Sequence, residues 1–164
     1  MSILFIDSEK IFSKWGHTTY DSKINEIKNT EFIKMPPTLE KVRRTISKGN
    51  TDVEINLIQG NTNESLPEFI KNNPEFKADF IYIDGGHALE TVENDWFYCS
   101  KFMHKNTIVL FDDYCIFPDD YKGTIWGSQV TIDNIDRTKY KVENTNEYDI
   151  FSRRKHYQTL VTLI

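Results

Sequence analysis

The stretch Phe80-Ile81-Tyr82-Ile83-Asp84-Gly85-Gly86-His87 decides how this chain is read. Four apolar or aromatic residues in a row, closed by an acid and two glycines, describe a buried strand running into a tight turn. A second run, Ile108-Val109-Leu110-Phe111, ends in Asp112-Asp113-Tyr114. Between them Leu89, Val92, Trp96, Cys99 and Met103 recur at helical spacing, which predicts a helix over residues 89–103 with that stripe against a sheet. A strand, a helix and a strand joined in this order give parallel strands with both acidic ends at one edge. Ligands of open parallel sheets bind beyond that edge. Three carboxylates gathered there raise one another's pKa unless a cation joins them. The edge is therefore read as a metal site or an acid–base site.

Outward from this unit the chain keeps the same alternation. Ile3-Leu4-Phe5-Ile6, ending at Asp7, and Val53–Ile58, running into Gly60-Asn61, are further strand candidates, expected to lie parallel to the first two. Ile24 and Ile27 hint at a short helix stopped by Pro36-Pro37. Thr38 caps another, with Leu39, Val42 and Ile46 on one stripe and Gly49 at its end. Leu66, Phe69 and Ile70 predict a short amphipathic helix closed by Asn72-Asn73-Pro74. After Tyr114 a loop with Pro118, Asp119, Asp120 and Gly123 leads to a helix holding Trp126, Val130 and Ile135. The tail changes character: residues 140–143, 150–151 and 159–164 read as short β segments, a hairpin rather than a further crossover.

Bulk properties narrow the function classes. A chain of 164 residues fits a single domain with a real core. No apolar run approaches a membrane span, so no membrane is expected, and residues 1–7 are too short for a signal peptide. A net charge of -5 argues against nucleic acid as the main partner, because phosphate binding draws on clustered Lys and Arg. Arg43-Arg44 and Arg153-Arg154-Lys155 are read as solvated surface. Cys99 and Cys115 form no C-x-x-C pair and suit ordinary packing in a reducing, cytoplasmic setting. The expected partner is a small-molecule acceptor, and a homo-oligomer is compatible with the composition.

Taken together, Phe80–His87, the following Glu90, Asp95 and Trp96, and Val109–Tyr114 resemble class I S-adenosylmethionine-dependent methyltransferases. The branch most similar is that of sugar and macrolide O-methyltransferases, which read I-D-G-G-H, D-W and F-D-D-Y in this order. The resemblance extends upstream through Ile58-Gln59-Gly60-Asn61 and Leu66-Pro67, and downstream to Gly127 and Ile132–Ile135. It implies a Rossmann-like α/β sheet, mostly parallel, finishing in an antiparallel hairpin. It also implies that Asp84, Asp112 and Asp113 bind a divalent cation. All-oxygen ligation suits a hard ion, with Mg²⁺ the default and Mn²⁺ the alternative. Such an ion would chelate an acceptor hydroxyl and hold its oxygen in line with the methyl group. His87, on the same rim, is the natural general base.

One departure stands out. The family's first strand and glycine-rich loop should precede the strand ending at Asp7, and no G-x-G occurs in the chain. The expectation is a single domain over 1–164, incomplete at its N-terminus, marginally stable and inactive alone, with weak or absent cofactor affinity. Asp7 is placed as a ribose ligand, Gly60 and Asn61 as contacts to the adenine side, and Asp84 beside the cofactor. Asp95 is read as solvated or capping and Trp96 as packed on the sheet. His17, His104 and His156 are read as surface residues. Two other classes remain open: an inactive methyltransferase-derived fragment or interaction module, favoured by the missing front, and a metal-dependent hydrolase. The latter is disfavoured because no Ser, Cys or Asp nucleophile stands beside a base.

Overall fold

A computed structural model describes residues 60–117, 125–151 and 154–164, residue 58, and the backbone path of residues 3–7. Within these, five strands form one sheet in the order β1-β2-β3-β5-β4. The strands are β1 (Ile3–Asp7), β2 (Phe80–Asp84), β3 (Ile108–Ile116), β4 (Tyr140–Phe151) and β5 (Arg154–Leu163). The first three are parallel, with Ile3 opposite Phe80, Asp7 opposite Asp84, and Ile83 opposite Phe111. β5 runs antiparallel to both β3 and β4, so the tail is the expected hairpin. Its strands are longer than the sequence segments suggested. The predicted strand at Val53–Ile58 and the helices upstream of it fall outside the described residues, and Ile58 itself lies in no strand. The described elements all belong to one compact unit made of Met1–Ser8 and Thr62–Ile164.

Three helices are described: α1 (Thr62–Asn72), α2 (Leu89–Cys99) and α3 (Gly127–Asp133). The helix predicted over residues 89–103 stops four residues early, and Ser100–Phe102 tighten into a 3₁₀ turn before β3. In β2 the alternation of the strand buries Ile81 and Ile83 on one face. Val109 and Phe111 of β3 and Val161 of β5 join them, and Val92, Cys99, Phe102 and Met103 close the layer from the helical side. Phe69, Phe76 and Phe102 pack edge to face at 5.2–5.7 Å between ring centres, tying α1 to the end of α2. Among the described residues no helix is long and apolar enough to cross a membrane.

β3 departs from its predicted extent for a reason that matters to the site. The sequence ends the strand at Phe111 and sets the acids beyond it, but the strand continues to Ile116. Its pairing to β2 does stop at Phe111. Pairing to β5 resumes after a bulge, from Phe111 opposite Thr159 to Tyr114 opposite Tyr157. Asp112 and Asp113 are the residues of that bulge, and Asp113 takes a φ of 61°, a left-handed conformation uncommon outside glycine. Bulges re-aim side chains, and this one turns two acids toward the carboxyl end of β2.

Candidate functional site

The rim is built from three short segments. The turn after β2 brings Asp84, Gly85, Gly86 and His87; the β3 bulge brings Asp112 and Asp113; and the start of α3 brings Ser128. With Ile83, Val92 and Phe111 beneath them, these residues line a cleft enclosing about 10 Å³, room for one water-sized group. All four rim residues singled out from sequence, Asp84, His87, Asp112 and Asp113, are thus brought together. The register of β1 and β2 also sets the backbone of Asp7 beside that of Asp84 at the same edge. Gly60 has a φ of 148°, which glycine alone adopts easily, and Asn61 directly precedes α1.

Asp113 organises the polar side of the cleft. Its Oδ2 lies 3.4 Å from Nδ1 of His87, and its Oδ1 accepts from Nδ1 of His156 at 3.2 Å. One carboxylate is shared by two imidazoles. Its backbone is held as well, since its carbonyl accepts the Ser128 hydroxyl at 2.6 Å and its N–H donates to Asp112 Oδ1 at 3.0 Å. These bonds account for how a non-glycine residue keeps a positive φ, whose usual cost the surroundings must outweigh. The other oxygen of Asp112, Oδ2, accepts the Tyr82 hydroxyl at 2.8 Å. Burial first, and then the bond to Asp112, hold the Tyr82 phenol well above its ordinary pKa of 10.0, so it remains a donor.

His87 is fixed from three directions. Its ring lies 4.1 Å from the Trp126 ring centre, its carbonyl accepts the Gly127 N–H at 2.9 Å, and Asp113 faces its Nδ1. Burial lowers its pKa from 6.5; Asp113 opposes that shift and His156 adds to it. At neutral pH the ring is therefore uncharged. With Nδ1–H toward the carboxylate, Nε2 carries the lone pair, the tautomer a general base requires. Gly127 has no alternative in this arrangement. A Cβ there would lie 2.6 Å from the backbone of Leu89, because the starts of α2 and α3 abut.

Several residues in or under the site were not expected. His156, read as surface, is partly buried against Asp113 and Cys115, whose sulfur lies 3.3 Å from the same Nδ1. It reaches the rim only through the pairing of Cys115 with His156 across β3 and β5, which no local pattern encodes. Burial pushes the Cys115 thiol up to about 12, with Asp113 adding to it. His104 is also not free surface, since it bonds Asp79 at 3.1 Å. His17 lies outside the described residues, as do Asp119 and Asp120. Tyr82 had a legible signal, standing two residues before Asp84 and so on the same face of the strand. Asp95, read as solvated or capping, is completely buried, and neither of its oxygens has a hydrogen-bond partner.

The carboxylates suit the hydroxyls of a ribose and the positive charge of a sulfonium. They do not, as arranged here, form a shared cation site. Asp112 commits its carboxylate oxygens to the Tyr82 hydroxyl and the Asp113 N–H, and Asp113 commits its own to His87 and His156, rather than to one point. Among the described residues no three His, Cys, Asp or Glu are grouped to hold a metal ion.

A mixed α/β sheet with an imidazole and carboxylates at the carboxyl edge of its parallel strands presents them where open sheets of this kind bind small molecules. Residues 11–114 match the family described as Methyltransferase domain, and the chain belongs to that family. No curated protein matches the chain. The matched segment ends at Tyr114, directly after the two acids of the β3 bulge, so it contains Asp84, His87, Asp112 and Asp113 but not His156.

Proposed function

We propose that this protein transfers a methyl group from S-adenosylmethionine to a hydroxyl oxygen of a small, sugar-like acceptor, with His87 as general base. The observation that carries the reading is the Asp113–His87 pair at the sheet's carboxyl edge, 3.4 Å apart, in a chain of the methyltransferase family. S-adenosylmethionine, when bound, supplies an electrophilic methyl on a sulfonium. His87 Nε2 takes the proton of the acceptor hydroxyl as its oxygen bonds to that carbon and the carbon–sulfur electron pair stays with sulfur. Asp113 stabilises the imidazolium that results, as a carboxylate behind a catalytic histidine does. The resemblance supports Asp84 as a contact to the cofactor and Asp7 as its ribose ligand. The acceptor class comes from the I-D-G-G-H, D-W and F-D-D-Y resemblance.

A second form of the reading is metal-assisted. It is favoured by one observation, that Asp84, Asp112 and Asp113 line the same cleft. Mg²⁺ or Mn²⁺ held there would lower the pKa of the acceptor hydroxyl. That form requires Asp113 to turn away from its imidazoles. The two forms separate on one experiment: formation of S-adenosylhomocysteine with a panel of hydroxylated sugars, with and without a chelator. Activity that survives chelation supports the His87–Asp113 pair acting alone, whereas activity restored only by Mg²⁺ or Mn²⁺ supports the carboxylate trio. His87→Ala lowers turnover in either form and leaves cofactor binding nearly intact; full activity in that variant would remove His87 as the base.

A further inference from the structure

Beneath the rim lies a group that the reaction does not use. Asp95, in the second turn of α2, is fully shielded from solvent, and neither Oδ1 nor Oδ2 is hydrogen-bonded. A buried carboxyl in that condition is expensive, and a packing role alone would be met at lower cost by a small apolar side chain. What it touches is specific. A Cβ placed on Gly85 would stand 2.7 Å from Asp95 Oδ2, closer than real contacts allow. Gly85 is therefore side-chain-free because the carboxyl occupies the space. Its chain neighbours across that point are Asp84 on one side and Gly86-His87 on the other.

We propose that Asp95 is a positioning residue for the rim: its buried carboxyl is what the Gly85–Gly86 turn is laid upon, so that Asp84 and His87 face Asp112 and Asp113. One further observation supports it. α2 is anchored on both sides of Asp95 by the buried Val92 and Cys99, so the carboxyl cannot drift from beneath the turn. This assignment rests on the reading of His87 as the base, and its test is made without cofactor or acceptor.

The experiment records side-chain ¹⁵N resonances of the histidines near neutral pH, with a chelator present, for the full chain and four variants. These are Gly85→Ala, Asp95→Ala, Asp95→Asn and the double variant Gly85→Ala/Asp95→Ala. His104, bonded to Asp79 at the opposite end of the parallel strands, is the internal control. The expected result is that the His87 ring signals move in Gly85→Ala and in Asp95→Ala, hold in the isosteric Asp95→Asn, and that His104 holds throughout. If Gly85→Ala alone fails to fold, the double variant is expected to recover the fold, since the clash is gone; failure to recover it overturns the contact. Unmoved His87 signals in Gly85→Ala and Asp95→Ala overturn the proposal. So does movement of His104 together with His87, or an Asp95→Ala chain that does not fold, either of which assigns Asp95 a general structural role. Methyl transfer enters none of these outcomes, so failure here is distinguishable from failure of the proposed reaction.

Discussion

Replacing Asp95 by Asn is expected to change the pH dependence of stability in a direction opposite to that of most carboxylates. Burial raises the Asp95 pKa from 3.8 to about 6, with Thr62 and Asn94 holding it back only in part. In the unfolded chain the group ionises near its ordinary value, so between about pH 4 and 6 the unfolded state loses its proton first. The folded state is thus penalised as pH rises through that window. Above it the penalty is complete, and two pKa steps at 1.36 kcal/mol each make it about 3 kcal/mol. Below pH 4 both states are protonated and the penalty is absent. Urea unfolding of the wild type and Asp95→Asn across pH 4 to 8 isolates the group, because the other carboxylates cancel in the difference. The difference should shift in favour of the variant by about 3 kcal/mol from the acid to the neutral end. A difference that stays flat would mean the carboxyl carries no such burden, and the account of its burial would be wrong.

Other outcomes follow from the same geometry. Gly127→Ala forces a Cβ onto the Leu89 backbone and should lower the melting temperature by about 5 °C or more, read by circular dichroism. The His87 imidazole should titrate below 6.5 by NMR, and Asp113→Asn should move that titration lower still, because the Asp113 charge is what raises it. An upward move would reverse the sign assigned to the pair. Cys115 and Cys99 are buried with raised thiol pKa values, so a thiol reagent should label neither in the native protein and both after unfolding. Tyr82→Phe removes one bond to Asp112 and should cost about 1 kcal/mol in urea unfolding.

Much of this arrangement could be read from sequence because it is local. Phe80–Ile83 and Ile108–Phe111 announce themselves as buried strands, and the acids that follow each fix the edge where chemistry occurs. The stripe on α2 was equally plain, yet it contained a clue passed over. Asp95 stands three residues after Val92 and four before Cys99, on the buried side of the helix. Charged residues are so seldom fully buried that the default reading left it solvated or capping. What sequence could not provide depends on distant pairing. The extension of β3 beyond Phe111 and the positive φ of Asp113 exist because β5 pairs on both sides of the bulge. His156 joins the rim by the same register, from a strand 43 residues further along the chain.

The most direct test of the central claim is a titration of ¹⁵N-labelled protein with S-adenosylmethionine, followed at the backbone amides of the rim. NMR detects binding up to millimolar dissociation constants, so weak affinity does not hide the answer. The account predicts saturable shifts at Asp84, Gly85, Gly86 and His87, reproduced by S-adenosylhomocysteine, and none at His104. Rim amides that stay unmoved at millimolar concentrations of either compound would contradict it.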